Sequence, residues 1–194
     1  MIKQNYHHGN LKESLIDKGL ELLNEVGYEA FSMRKLATIC GVSHSAPYRH
    51  FKNKDELIST IRFKALEHFN QYLKTSIKAY PNPKEVIKEM GKRYLKFFIE
   101  YPDYLDFLFL NSSPGNIKIQ NNQALFSDNP AFKFFTEKCV EYLESVSVDK
   151  SDLMINIISI WSLIHGLTIL LVKENIIIEG SYMDYVDKII DNIL

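Results

Sequence analysis

The sequence predicts an all-α protein of about nine helices. Apolar residues recur at intervals of three and four along most of the chain, as they do on one face of a helix, and no segment keeps the two-residue period of a strand. Serine or asparagine precedes several of these apolar runs, where it can cap a helix, and glycine or proline follows. An apolar content of 46% in 194 residues is ordinary for a chain that buries a core.

The first two predicted helices have clear ends. The first spans 10–25: Asn10 can cap it, with a glutamate three residues later to complete the capping box, and Gly27 stops it. The second spans 32–40 and opens with a serine cap. Gly41 then turns the chain.

The third predicted helix, 43–51, contains a proline, which costs about 3 kcal/mol in a helix interior. Counted from a cap at Ser43, Pro47 is only the fourth helical residue. The first four N–H groups of a helix have no intrahelical partner, so the proline removes only the first bond, to the Ser43 carbonyl. We therefore expect this helix to survive.

The rest of the chain continues in the same pattern. The fourth helix opens with Asn53 and Glu56, a second capping box, and runs to about residue 79, where the sequence "YPNP" breaks it. Ser112–Asp128 is polar and predicts a flexible loop. The remaining predicted helices span 83–101, 102–110, 129–146, 151–173 and from 181 almost to the end.

The second and third helices, joined by a tight turn, have the spacing of a helix-turn-helix, whose second helix enters the DNA major groove. The charge agrees locally, although the net charge is −1, because no acidic residue lies between Glu29 and Asp55. Residues 1–68 carry ten Lys and Arg against eight Asp and Glu. A solvated basic face on an ordinary helical pair would show the same charges.

The segment "AFSMRKLATICGVSHSAPYRHFKNKDELI" resembles the TetR (tetracycline repressor) family of transcriptional regulators, and the resemblance covers about 10–60. It implies a helix-turn-helix DNA-binding domain, 1–56, followed by a larger helical domain, 57–194, for effector binding and dimerisation. Within the larger domain, "WSLIHGL" resembles a subgroup named for a Trp-His-Gly signature, carried here by Trp161, His165 and Gly166.

The resemblance also implies roles for particular residues. Ser32 and Arg34, near the start of the second helix, match positions that reach a base or a phosphate. The third helix and the residues just after it match base-reading and phosphate-binding positions. Pro47 stands where leucine is commoner in the family. His7 and His8 could extend an arm toward the minor groove or simply fray. The predicted DNA-binding residues are Ser32, Arg34, Ser43, His44, Ser45, Ala46, Tyr48, Arg49, His50 and Lys54.

The larger domain is rich in aromatic residues, which at helical spacing belong either to the core or to a pocket. In the resembled family this domain holds an effector, and tyrosine hydroxyls among phenylalanines favour a mainly apolar or aromatic one. The loop at 112–128 is a candidate lid. The predicted ligand-binding residues are Tyr94, Phe97, Phe98, Tyr101, Tyr104, Phe107, Trp161 and His165.

No catalytic triad, phosphate loop or metal-ligand spacing is recognisable, so we expect no enzyme activity, no metal and no cofactor. The uncharged segment 153–172 is long enough to span a membrane, but it also fits a helix buried on nearly all sides by its own domain and a second copy. The sequence therefore predicts a cytoplasmic homodimeric repressor of a palindromic double-stranded DNA operator, released by a small-molecule effector. The alternative is a helical interaction or membrane-associated protein.

Overall fold

The computed structural model describes residues 11–75, 77, 80–110, 118–120, 123–125 and 129–194. Some sequence predictions lie outside these residues. They are the cap at Asn10, the arm residues His7 and His8, and the candidate lid except for 118–120 and 123–125.

The all-α prediction is confirmed, with one short antiparallel hairpin in addition. The hairpin pairs Ile119 with Ala124. The elements are α1 (Leu11–Ala30), α2 (Met33–Ile39), a 3₁₀ turn (Pro47–Arg49), α3 (Lys54–Lys74), α4 (Pro83–Glu100), α5 (Pro102–Leu105) with a π-helical turn (Asp106–Leu110), β1 (Lys118–Gln120), β2 (Gln123–Leu125), α6 (Pro130–Ser145), α7 (Leu153–Val172) and α8 (Tyr182–Asp191).

The chain forms two compact units. The N-terminal unit ends at Ala65, inside α3, and takes in the π-helical turn that begins at Asp106. The C-terminal unit begins at Leu66 and holds α4, α5 and α6 to α8. The domain boundary predicted after residue 56 stays a prediction.

The N-terminal unit is built on apolar residues of α1, α2 and the first part of α3. Leu15, Leu36 and Leu57 are among its fully buried side chains. Gly27 interrupts α1 with φ of 73°, a left-handed conformation that glycine adopts without strain. The predicted stop at this glycine is therefore a break, after which the helix resumes to Ala30.

The prediction of an α-helix at 43–51 is wrong. The Ser43 carbonyl accepts from the N–H of Ala46, and a 3₁₀ turn follows at Pro47–Arg49. The reason is the proline itself: it has no N–H to give the Ser43 carbonyl, which takes the nearer donor instead. The segment 43–51 is thus two successive turns.

The C-terminal unit is organised around α4, which packs against α6, α7 and α8. The buried face of α4 includes Met90, Leu95 and Phe98. Gly91 lets α8 approach closely, because a Cβ there would lie 2.9 Å from the terminal methyl of Ile190.

The expected burial of α7 by its own domain and a second copy is seen in one chain only for the domain, which covers one side of the helix. Its buried residues form a single stripe, and most of the helix surface is not covered within one chain. This helix, with mean hydropathy 2.0, is the one among the described residues that is long and apolar enough to span a membrane.

Candidate nucleic-acid interface and effector site

The two turns at 43–51, which we call the recognition turn, present a polar and basic surface. Ser43, His44, Ser45, Arg49 and His50 are all exposed. Tyr48 is also exposed, to 53%, which is high for a large aromatic side chain. Short hydroxyls, imidazoles and a guanidinium can donate to or accept from phosphates and base edges, so this surface has the chemistry of a nucleic-acid interface.

Ala46 does not share this surface. It is 7% exposed and, like the neighbouring Pro47, is buried. The prediction that Ala46 reads a base therefore finds no support in its position, because a methyl group must be exposed to contact a thymine methyl.

The predicted residues outside the recognition turn divide into free and engaged groups. Arg34 is exposed on α2. The Ser32 hydroxyl accepts from the Lys35 N–H, so it caps α2. Lys54 donates to the Tyr28 carbonyl, and its ammonium lies 4.1 Å from the centre of the Tyr28 ring. Lys54 therefore ties the start of α3 to the end of α1.

A residue that the sequence reasoning missed lies beside the recognition turn. Thr38, in the last turn of α2, places its Oγ1 3.4 Å from Nε2 of His44. Its spacing from His44 carries no motif, and only the reversal of the chain at Gly41, with φ of 69°, brings the two together.

In the C-terminal unit, the Tyr94 hydroxyl already has a hydrogen-bonding partner within the protein. It lies 2.7 Å from Nδ1 of His165 on α7. Burial raises the pKa of Tyr94, and the nearby Trp161 indole opposes part of that rise. The centre of the Trp161 ring lies 5.6 Å from that of His165. Three predicted ligand-binding residues thus lie together, with Tyr94 buried and with Trp161 and His165 partly exposed.

The other predicted ligand-binding residues of this unit form an aromatic cluster. The centre of the fully buried Phe97 ring lies 5.1 Å from the ring centre of Phe98 and 5.0 Å from that of Tyr101. Its 5.3 Å contact with His68 brings in a residue of α3 that the sequence reasoning missed. Phe107, which is also buried, belongs to the N-terminal unit.

A cavity of about 480 Å³ lies elsewhere in the C-terminal unit. Its described lining comes from the end of α3, the break before α4, the first turn of α4, and α6, and includes none of the eight predicted ligand-binding residues. The ammonium of Lys74 lies 4.9 Å from the Phe134 ring at this cavity. The "YPNP" break is a sequence signal near it.

The described residues hold no group of three or more His, Cys, Asp or Glu that could bind a metal ion. Cys40 and Cys139 are buried, and burial raises the pKa of both thiols. Neither is poised as a thiolate nucleophile.

Comparison with known proteins agrees with the geometry of the N-terminal unit. Residues 15–61 match the model of the N-terminal domain of the bacterial regulatory proteins of the tetR family. These residues of the chain are thus similar to a tetR-family N-terminal domain. The class D tetracycline repressor of Escherichia coli is 39% identical over 61 residues, which are 31% of this chain and 28% of the repressor.

Two further similarities extend beyond the TetR domain. The HTH-type transcriptional regulator YerO of Bacillus subtilis is 30% identical over 119 residues, 56% of this chain and 39% of YerO. The matches therefore span well under half the length of these relatives. The regulator FadR of Bacillus subtilis, solved in complex with stearoyl-CoA, has a TM-score of 0.72 at 16% identity, covering 93% of this chain and 96% of FadR. That likeness shows a shared fold.

Proposed function

We propose that this protein is a dimeric transcriptional regulator that represses by binding a palindromic operator and is released by a small effector. The observation that carries the proposal is the exposed, acid-free recognition turn within a TetR-family domain. The −1 charge of the whole chain does not oppose it, since phosphates respond to the local field.

The residues of this surface take different roles in the proposal. Arg34, His44, Ser45 and Arg49 face base edges, with Arg49 able to bind guanine in a bidentate manner. Tyr48 and His50 bind phosphates. Ser32 and Lys54 act indirectly, because both already stabilise the ends of helices that hold the interface.

Selection of bound fragments from a random DNA pool tests DNA binding directly. We expect an enriched palindrome whose half-sites lie about one helical turn apart, roughly 34–36 Å. Arg49→Ala should relax preference at one position per half-site, by about 1–3 kcal/mol if the contact is bidentate. Tyr48→Phe should weaken binding to all sequences alike.

The control for these variants is Lys133→Ala, which removes an exposed cation of α6 in the C-terminal unit. It should leave both affinity and preference unchanged. An unenriched pool would contradict the proposal, and a loss of affinity equal for Arg49→Ala and Lys133→Ala would contradict the assigned interface.

We place the dimer interface on α7. Its apolar surface is largely uncovered in one chain, with Ile155 and Leu170 exposed. A second copy related by a two-fold axis would cover it and would give the assembly two recognition turns related by the same axis. The same apolar surface favours the alternative of a membrane-associated helix, which the oligomeric state in detergent-free solution distinguishes. Trp161, His165 and Gly166 of the Trp-His-Gly signature also lie on α7.

We assign the effector to the C-terminal unit. The aromatic cluster around Phe97 is buried and reaches solvent at Tyr101, which is 38% exposed, so an effector would enter from that side. An aromatic or otherwise apolar compound fits this chemistry. FadR, of similar fold, was crystallised with an acyl-CoA, so acyl thioesters belong in the same screen.

A thermal-shift screen combined with release from the selected operator tests the effector. Apolar aromatic compounds should raise the melting temperature and release the DNA. Tyr101→Ala should blunt the response and leave unliganded DNA binding intact. If only acyl thioesters act, the aromatic assignment is wrong; if only small, strongly polar anions act, the apolar site is wrong.

A further inference from the structure

The side chain of Thr38 touches two groups with different hydrogen-bonding capacities. Its Oγ1 lies 3.1 Å from the carbonyl oxygen of Arg34, one helical turn earlier, and 3.4 Å from Nε2 of His44 in the recognition turn. Thr38 and His44 are both exposed. Thr38 therefore connects the last turn of α2 with a side chain of the recognition turn.

The hydroxyl of Thr38 has one hydrogen, and the carbonyl decides where it points. A carbonyl oxygen can only accept, so the contact with Arg34 requires Thr38 to donate to it, as threonine commonly does within a helix. Toward His44 the same oxygen then acts as the acceptor. The Nε2 atom of His44 must carry a hydrogen to complete this bond.

A neutral imidazole has one N–H and one bare nitrogen. With the hydrogen on Nε2, the bare nitrogen is Nδ1, which makes no hydrogen bond to the described residues. The hydroxyls of Ser43 and Ser45, which flank His44 in the chain, lie 3.2 Å from each other. His44 is thus left with a hydrogen-bond acceptor that is available to a ligand.

We propose that Thr38 is a positioning residue that holds His44 by Nε2–H so that Nδ1 accepts a hydrogen bond from an exocyclic amine of a base. In the major groove those amines are N4 of cytosine and N6 of adenine. The inference rests on the proposed DNA-binding function. It assigns specificity to a helix residue outside the recognition turn, through a side chain that need not touch DNA.

Two substitutions separate the hydroxyl from the rest of the side chain. Thr38→Val keeps the shape and removes the hydroxyl, and Thr38→Ser keeps the hydroxyl. Long-range ¹H–¹⁵N spectra of the free protein at alkaline pH, with the His44 signals assigned by their loss in His44→Ala, report which ring nitrogen carries the hydrogen. We expect a high Nε2–H fraction in the wild type and in Thr38→Ser, and a lower fraction in Thr38→Val.

DNA selection provides the second measurement. Thr38→Val should reduce the preference for cytosine or adenine at one position per half-site by about two- to tenfold, the effect of one hydrogen bond, and Thr38→Ser should retain it. In a His44→Ala background Thr38→Val should have no further effect on that preference.

The outcomes are separable. If the wild type selects no DNA, the proposed function fails, and the spectra alone still decide whether Thr38 holds the ring. An Nε2–H fraction that is the same in Thr38→Val and the wild type overturns the positioning role. A changed fraction with unchanged base preference overturns the role in specificity.

Discussion

The Tyr94 hydroxyl, on α4, is a buried polar group that lies 2.7 Å from Nδ1 of His165 on α7. A buried polar group without a partner is costly, so the Tyr94 hydroxyl depends on His165. At the residue scale, this hydrogen bond helps to fix how α4 and α7 face each other.

Tyr94→Phe is expected to destabilise the protein by about 0.5–1.5 kcal/mol, because it removes the buried hydroxyl that bonds Nδ1 of His165. The free energy of urea unfolding measures this. Tyr101→Phe removes the hydroxyl of a tyrosine that is half-exposed and should cost less than about 0.5 kcal/mol. Equal effects of the two variants would show that the buried hydrogen bond contributes nothing.

Burial lowers the pKa of His165 below the ordinary value of a histidine, about 6.5. As the pH falls through about 6.5, the imidazole of the unfolded chain takes up a proton before the imidazole of the folded chain does. The unfolded state then binds more protons, so this group lowers stability below about pH 6.5 and has no such effect at higher pH. The loss stops once the pH is below the folded-state pKa.

The measurement is the free energy of unfolding of the wild type and of His165→Gln, between slightly alkaline and mildly acidic pH. The wild type should lose more stability than the variant on acidification. Parallel curves for the two proteins would mean that His165 does not contribute to the pH dependence.

At the element scale, the recognition turn shows how the missing N–H of Pro47 changes the local hydrogen bonding. The Ser43 carbonyl bonds Ala46 at 2.9 Å because Pro47 offers no donor, and Pro47–Arg49 closes as a 3₁₀ turn. The Phe51 N–H still reaches the Pro47 carbonyl at 3.0 Å, a helical spacing. The segment is thus close to helical and held away from it by a single residue.

Pro47→Ala should convert this segment into an α-helix, because alanine restores the donor for the Ser43 carbonyl and favours helix. Backbone ¹³C shifts of residues 44–49 should move to helical values. Ser45→Ala, which keeps the proline, serves as the control and should leave the turn-like shifts in place. If the Pro47→Ala shifts stay turn-like, tertiary packing and not the proline sets this conformation.

The helix termini show which features local sequence could predict. Asn53 accepts from the Glu56 N–H at 2.9 Å, and Ser32 caps α2, both as the sequence indicates. Such bonds join residues three apart, so a short window contains all the information. The Thr38–His44 contact and the large cavity depend on where separate segments meet, and no periodic pattern encodes that.

The π-helical turn after α5 and the helical break at Pro47 escaped prediction for a different reason. Both replace one hydrogen-bond spacing by another within a segment of helical composition. Hydrophobic periodicity cannot resolve a change of one residue in bonding over so short a length.

At the scale of the whole molecule, α7 is the element whose apolar surface one chain leaves largely uncovered. It has no charged residue and is mostly apolar, yet its buried residues form one stripe: Met154, Ile157, Ile164 and Thr168. An apolar helix surface left in water is unfavourable, by about 25 cal/mol for each Å² that a partner could cover. Exposed surface of this kind marks an interaction site.

Leu170→Asp should therefore dissociate the proposed dimer without unfolding the chain, since Leu170 is 38% exposed in a single copy and a buried charge arises only at the interface. Light scattering should give about twice the chain mass for the wild type and the chain mass for the variant, with unchanged helical circular dichroism. Val146→Asp, which places the same charge on an exposed apolar residue just after α6, should stay dimeric. A Leu170→Asp variant that remains dimeric would place the interface elsewhere, and a wild type that is monomeric or needs detergent would favour the membrane-associated alternative.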